Sequence, residues 1–132
     1  FMNNNAAQRG GGLAILGSST GVIDSVILSN NTAVVGGGIY IADSNPQINR
    51  TFIIDNIATG DWAKGAGIYT YGDSHPVLIN VTIAGNEVID EGFESSGDQS
   101  GGGILSYQES ITLINAIVWG NLPPGFVYRC IK

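Results

Sequence analysis

The chain repeats one pattern four times, and this repetition constrains its fold more than any other feature. Each copy begins with a glycine-rich motif followed by an aliphatic residue, and each ends with an aliphatic-x-x-Asn motif. The motifs begin at Gly10, Gly36, Gly65 and Gly101, and the closing asparagines are Asn30, Asn56, Asn86 and Asn121. The third residue of each glycine motif precedes its Asn by 18 or 19 residues. A fixed part followed by a variable remainder predicts a solenoid of stacked coils.

Each coil is predicted to hold two extended stretches. After the glycine motif, aliphatic residues such as Ile39 alternate with tyrosines such as Tyr40, which predicts a strand with the aliphatic column inward and the tyrosines outward. After a turn, the second stretch has inward positions eight, five and three residues before the closing Asn, with a bend near the sixth. In the first coil these inward positions are Val22, Ser25 and Ile27. No window has helical periodicity, so the predicted class is all-β.

Stacked coils rise by about 4.8 Å, so identical positions lie directly above one another. Side chains of Asn30, Asn56, Asn86 and Asn121 are therefore predicted to form a hydrogen-bonded ladder at a turn. The first residues resemble the end of a repeat, with Asn3 or Asn4 in the place of the closing Asn. We therefore expect the chain to begin in mid-coil, as a piece of a longer protein.

The length differences between coils fall between each closing Asn and the next glycine motif. The predicted organisation is one β-helix domain over residues 1–132, with coils at about 10–35, 36–64, 65–100 and 101–121 and with 122–132 as a cap or the start of a further coil. Residues 31–35, 57–64 and 87–100 are predicted to be loops on one edge of the stack. Such loops often form the binding face of a solenoid.

The chain is acidic, with a net charge of −6, and only 12% of its residues are charged. Nucleic acids and anionic membranes need a basic face, so both are excluded as expected partners. No apolar run is long enough for a transmembrane helix.

The Gly-Gly-x-Ile start and the Ile/Phe-x-x-Asn end resemble the repeats of chlamydial polymorphic outer-membrane proteins. They also resemble the wider group of right-handed parallel β-helix repeats, with a pectin lyase-like fold, in bacterial surface and secreted proteins. The Ser-x-Pro-x-aliphatic turns at 44–48 and 74–78 and the segment 115–121 add to a resemblance that covers residues 10–121. It implies a right-handed parallel β-helix of about four coils and an extracellular or cell-surface location.

Aromatic residues are the predicted ligand-binding residues. Outward columns pair Tyr40 with Tyr69 and Tyr71 with Tyr107, and variable loops carry Trp62 and Phe93. Flat aromatic faces suit sugar rings and protein partners. The alternative is that the stacked rings only stabilise neighbouring strands.

A calcium site is predicted in the longest loop, from the carboxylates of Asp90, Glu91, Glu94 and Asp98, with Glu87 beside them. Calcium takes six to eight oxygen ligands. The spacing is not that of an EF-hand, and a solvated acidic loop is the alternative. Calcium is the one cofactor that the sequence suggests.

No catalytic residue is predicted. Enzymes that share the resemblance use carboxylates with Arg or Lys on an outer face. Here the repeats contain only Arg9, Arg50 and Lys64, Arg50 is expected to form an exposed ion pair with Asp24, and His75 lies in a turn. The predicted function is therefore a non-catalytic structural stalk or adhesin segment that binds glycan or protein through its loop face and stacks on further coils of the same chain. Part of a carbohydrate-active enzyme and a structural subunit of an extracellular assembly remain open as alternatives.

Overall fold

The computed structural model describes residues 1–89, 101–107 and 110–122, together with the backbone of one strand at 126–129. The described residues contain only short strands, turns and bends. No helix among them could span a membrane.

Each coil contributes up to four strands. The first coil holds β1 (Leu13–Leu16), β2 (Val22–Asp24), β3 (Ile27–Ser29) and β4 (Thr32–Ala33). The second holds β5 (Ile39–Ala42), β6 (Gln47–Asn49), β7 (Phe52–Ile54) and β8 (Ile57–Thr59). The third holds β9 (Ile68–Tyr71), β10 (Val77–Ile79), β11 (Thr82–Ala84) and β12 (Glu87–Ile89). The fourth holds β13 (Ile104–Tyr107), β14 (Thr112–Ile114) and β15 (Ile117–Trp119), and β16 (Phe126–Arg129) follows.

Equivalent strands of successive coils pair in parallel and form four sheets. Sheet 1 has the order β1-β5-β9-β13-β16, sheet 2 is β2-β6-β10-β14, sheet 3 is β3-β7-β11-β15, and sheet 4 is β4-β8-β12. The strand β16 pairs with β13 as β13 pairs with β9. The strand β16 therefore extends sheet 1 by one strand beyond β13.

The core lies between the four sheets and is built from stacked aliphatic columns. Ile39, Ile68 and Ile104 are fully buried in sheet 1, as predicted, and Ile53 and Ile83 are fully buried in sheet 3. The predicted bend separates sheets 2 and 3. One residue of positive φ forms it in each coil: Ser25, Arg50, Asn80 and Asn115.

The predicted register of the first coil is wrong by one residue. Leu28, not Ile27, pairs with Ile53, and Leu28 is buried whereas Ile27 is 51% exposed. Likewise Ile23, not Val22, pairs with Ile48.

The asparagine ladder exists, but Asn31 replaces Asn30 in it. The Asn56 Oδ1 atom accepts hydrogen bonds from the backbone N–H and the Nδ2 of Asn31, at 3.0 and 2.9 Å. The Asn56 Nδ2 donates to the Leu28 carbonyl and to Asn86 Oδ1, at 3.0 and 2.9 Å. All four hydrogen-bonding positions of this buried amide are therefore satisfied.

The ladder continues in both directions. Asn86 donates to Asn121 Oδ1 at 2.8 Å, and Asn4 donates to Asn31 Oδ1 at 2.9 Å. Asn4 is thus the residue of the N-terminal segment that occupies the place of a closing Asn. Among the described residues, no buried side-chain nitrogen or oxygen lacks a hydrogen-bond partner.

The residue before each ladder asparagine explains why Asn30 lies outside it. Asn30 has a φ of 54°, and the same corner position has positive φ in every described coil, at Asn3, Asn30, Asp55, Gly85 and Gly120. Asn, Asp and Gly are the residues that tolerate this left-handed conformation best. Asn30 therefore forms the corner and Asn31 faces inward.

The segments predicted as loops contain a fourth strand, which the sequence analysis missed. Residues 57–59 and 87–89 form β8 and β12 of sheet 4, and 32–33 form β4. Inward Ala33 and Ala58 are buried at their centres. The variable part of the second coil is therefore only the turn that follows β8.

Candidate ligand-binding groove

The parallel register of sheet 1 brings the predicted tyrosines together on its outer face. Tyr40 and Tyr69 are direct partners in β5 and β9, and their rings stack with centroids 5.6 Å apart and planes 7° from parallel. Tyr71 and Tyr107 stack at 5.9 Å and 20°. Such offset aromatic pairs stabilise neighbouring strands.

Tyr40 is not available as a platform for a ligand, contrary to the prediction. Its side chain points outward, but the residue is only 4% exposed. One ring face is covered by Tyr69, and the guanidinium carbon of Arg9 lies 5.3 Å from its ring centroid. Tyr40 therefore packs against Tyr69 on the outer face of sheet 1 and holds Arg9 by a cation–π contact.

Tyr71 is more exposed than Tyr40, Tyr69 and Tyr107. It is 43% exposed, and Tyr107 stacks on one side of it. On the other side its partner in the preceding coil is Ala42, which is too small to cover a phenol ring. A flat group can therefore stack on Tyr71.

Tyr69 lies half-buried between these residues. The pKa of its hydroxyl is raised to about 12, chiefly by burial and then by the neighbouring Tyr40, Tyr107 and Tyr71, while Arg9 acts in the opposite direction. The Tyr69 hydroxyl is therefore protonated at neutral pH and can donate a hydrogen bond.

Two depressions beside this face share two lining residues and are together called the groove. The first has a volume of about 310 Å³ and is lined by Arg9, Val35, Tyr40, Tyr69 and Tyr71. The second has a volume of about 460 Å³, and its lining adds Ala7, Gln8, Val34 and Asp61 to Arg9 and Val35. Because Arg9 and Val35 line both, the tyrosine face and the loop face, which the sequence presented as separate sites, belong to one surface.

Trp62 lies in the turn after β8, next to Asp61, which lines the second depression, but Trp62 itself lines neither depression. The Ala63 N–H donates to the Gly60 carbonyl at 3.2 Å, and Trp62 has a φ of 69° at the position where such turns favour Gly or Asn. A bulky residue in this conformation is strained. Its indole is 59% exposed, and the Lys64 Nζ lies 6.0 Å from the ring centroid.

The turn is an insertion of four residues. Lys64 forms a bridge with Val35 of the first coil and donates to the Val34 carbonyl, so Gly60–Ala63 have no counterpart in that coil. Ala63 is buried against Ala58 and Ala66, and the Gly60 N–H donates to the Ile89 carbonyl, whereas Asp61 and Trp62 are exposed at the tip of the turn. Its residues Asp61 and Trp62 are therefore free to serve the groove.

Other predicted residues lie elsewhere or outside the described residues. Arg50 forms the expected exposed ion pair with Asp24, away from the groove, and His75 is exposed in its turn. Phe93 and the predicted calcium ligands Asp90, Glu91, Glu94 and Asp98 lie outside the described residues. Within the described ranges, no group of three or more His, Cys, Asp or Glu side chains could hold a metal ion.

The comparisons with known proteins agree with this architecture. The family model described as a right-handed β-helix region matches residues 1–128, and the chain belongs to this family. Neither the comparison with curated proteins nor that with solved structures gave a match. The four parallel sheets and the family together define the fold as a right-handed parallel β-helix of about four coils.

Proposed function

We propose that this β-helix is a non-catalytic glycan-binding segment of a surface or secreted protein, and that its binding site is the groove lined by Arg9, Tyr69 and Tyr71 together with the adjoining turn that carries Asp61 and Trp62. The observation that carries the proposal is the turn Gly60–Ala63. Only Ala63 of this insertion packs in the core, and the exposed tip keeps a tryptophan in a strained conformation with its side chain in solvent. Strain of this kind concentrates at functional sites.

The chemistry of the groove suits an oligosaccharide. The open ring face of Tyr71 and the indole of Trp62 are flat apolar surfaces on which the C–H faces of sugar rings can stack. The Tyr69 hydroxyl and the Arg9 guanidinium, which line the same depression as Tyr71, offer donors, and the Asp61 carboxylate next to Trp62 offers acceptors, for sugar hydroxyls. The two joined depressions favour an extended ligand over a single sugar.

The test begins with a glycan array probed with the wild-type chain, and the best ligand is then titrated calorimetrically. Trp62→Ala and Tyr71→Ala should each weaken the affinity per site by about tenfold or more, since a lost aromatic contact is worth about 1–3 kcal/mol. The matched control is Trp119→Ala, which removes a tryptophan that is 77% exposed on another sheet. No binding by the wild type, or equal losses in all three variants, would refute the proposed site.

The proposal that the segment is not catalytic is tested with the same glycans. After long incubation we expect no new reducing ends and no unsaturated sugar products. Either product, if abolished by Asp61→Asn, would replace a binding role with that of a carbohydrate-active enzyme.

A further inference from the structure

Arg9 is held in place by the chain, but it has no acidic partner among the described residues. Its guanidinium carbon lies 5.3 Å from the centroid of the Tyr40 ring, and its backbone forms a bridge with Val35. No described carboxylate lies within ion-pair distance of Arg9, and its side chain donates no hydrogen bond to another described residue. The chain has a net charge of −6 and thus more carboxylates than cations, so the pairing of Arg9 with a ring alone calls for an explanation.

Arg50 shows the usual arrangement of an arginine in the same chain. Its guanidinium forms an exposed ion pair with Asp24 of the preceding coil and also donates to the Ser25 hydroxyl at 3.3 Å. The charge of Arg50 is therefore neutralised by the chain itself. A cation–π contact, in contrast, attracts the charge of the Arg9 guanidinium without neutralising it, so its N–H groups remain able to bind an anion.

The two depressions of the groove differ in charge. Arg9 and three tyrosines line the first depression, which has no carboxylate in its lining, whereas Asp61 lines only the second. The Tyr69 hydroxyl in the first depression keeps its proton at neutral pH, because burial and then its neighbours raise its pKa to about 12. The first depression therefore combines a cation with a neutral hydroxyl donor, and this combination suits an acidic group.

We propose that the glycan bound in this groove carries an acidic group, a carboxylate or a sulfate, and that Arg9 binds this group in the first depression. The inference rests on the proposed glycan-binding function and names the class of glycan. A planar guanidinium can donate two parallel hydrogen bonds to the oxygens of such a group. The Tyr69 hydroxyl lines the same depression and can donate a third.

The negative charge of the chain limits how many acidic groups the ligand can carry. Asp61 in the second depression and the net charge of −6 would both repel a polymer that is acidic at every sugar. We therefore expect an oligosaccharide whose acidic sugar is isolated among neutral ones. An oligogalacturonate, which is acidic at every sugar, should bind more weakly than oligosaccharides with one acidic sugar, and the reverse order would contradict this expectation.

A glycan array of matched pairs tests the inference separately from the proposed function. Sialylated, uronic-acid and sulfated oligosaccharides are printed beside their carboxyl-reduced or desulfated counterparts. The wild type should bind the acidic member of a pair at least about tenfold more tightly, because hydrogen bonds to charged groups are worth more than those between neutral groups. The pairs that show this preference identify the group as carboxylate or sulfate. Equal binding within every pair would overturn the inference and leave the proposed function intact, whereas no binding of any glycan would refute both.

Calorimetric titration of the best acidic glycan and its neutral counterpart tests the role of Arg9. Arg9→Gln should weaken binding of the acidic glycan by about tenfold and change that of the neutral one little. Arg9→Lys keeps the charge and should retain part of the preference. The matched control is Arg50→Gln, which removes a positive charge away from the groove and should leave the preference unchanged. Thermal melts confirm that each variant is folded. A preference that survives in Arg9→Gln, or equal losses in Arg9→Gln and Arg50→Gln, would overturn the inference.

Discussion

The buried asparagines and the stacked tyrosines both run along this solenoid, and they differ in whether their side chains can still contact a ligand. Inside the corner between sheets 3 and 4, Asn31, Asn56 and Asn86 are fully buried. The four hydrogen-bonding positions of Asn56 are all filled by other parts of the chain. Outside sheet 1, the tyrosines stack only in pairs, and Tyr71 keeps an open face.

The difference follows from the free energy that the loss of one side chain would cost in each place. A missing rung in the buried ladder would leave amide groups without partners, which is expensive, so the ladder recurs in every described coil. A missing tyrosine outside sheet 1 exposes only part of a ring. The outer column can therefore vary between coils, and the proposed binding site lies where it varies.

The largest expected effect comes from breaking the core beside the inner ladder. Ile53→Asp or Ile83→Asp should lower the free energy of unfolding by roughly 4 kcal/mol or more, because each buries an unpaired charge at a fully buried position. Val22→Asp, at a position that the corrected register puts outside, should change it little. Chemical denaturation measures all three. A small effect at Ile53 together with a large one at Val22 would restore the uncorrected register.

The ladder itself should respond next. Asn56→Ala and Asn31→Ala should each cost about 1–3 kcal/mol, because the neighbouring buried amides lose partners. Asn30→Gly should leave stability nearly unchanged, since glycine accepts the positive φ of that corner. Equal losses at Asn30 and Asn31 in urea melts would show that the ladder does not discriminate between them.

The outer column should give a smaller effect. Tyr40→Leu should cost about 0.5–1.5 kcal/mol, since it removes a stacked ring but keeps an apolar side chain over the sheet. Tyr71→Leu should cost less in stability and more in glycan affinity, because that ring is more exposed. Paired melting and titration experiments check this, and the reverse order would mean that the roles of Tyr40 and Tyr71 have been exchanged.

The smallest expected effect appears in alkaline solution. The pKa of Tyr69 is raised from 10.0 to about 12, so the folded chain holds this proton in a pH range where the unfolded chain has lost it. The contribution to stability is therefore complete below pH 10 and is lost as the pH rises from 10 to about 12. Tyr69→Phe should remove this part of the pH dependence. An unchanged slope in the variant would assign the loss to other groups.

The structural features that recur in every coil could be predicted from the sequence, whereas those that depend on single residues could not. The inward columns through Ile53 and Ile83, and the ladder from Asn56 to Asn121, were found because each coil repeats them. The first coil was misaligned because Asn30 and Asn31 are adjacent and either could close the repeat. The column of Asn, Asp and Gly residues that precede the ladder was the signal that could have decided between them.

The fourth strand and the groove were harder to predict. Sheet 4 strands have two or three residues, and their only signal is a central small or apolar residue such as Ala58. The covering of Tyr40 by Arg9 joins residues of different coils. Such a contact depends on how the residues before the first glycine motif pack, and the repeat pattern carries no information on that packing.

The most direct test of the division between inner ladder and outer groove is deletion of Gly60–Ala63, which joins Thr59 to Lys64. This deletion gives the second coil the same connection that Val34 and Val35 form in the first coil. The melting temperature and the glycan affinity of the variant should be measured together. The account predicts a folded chain, with a melting temperature lowered only by the loss of the buried Ala63 side chain and of the Gly60 hydrogen bond, and a loss of glycan binding. A collapsed fold would show that the turn is a structural element, and unchanged binding would show that the site lies elsewhere.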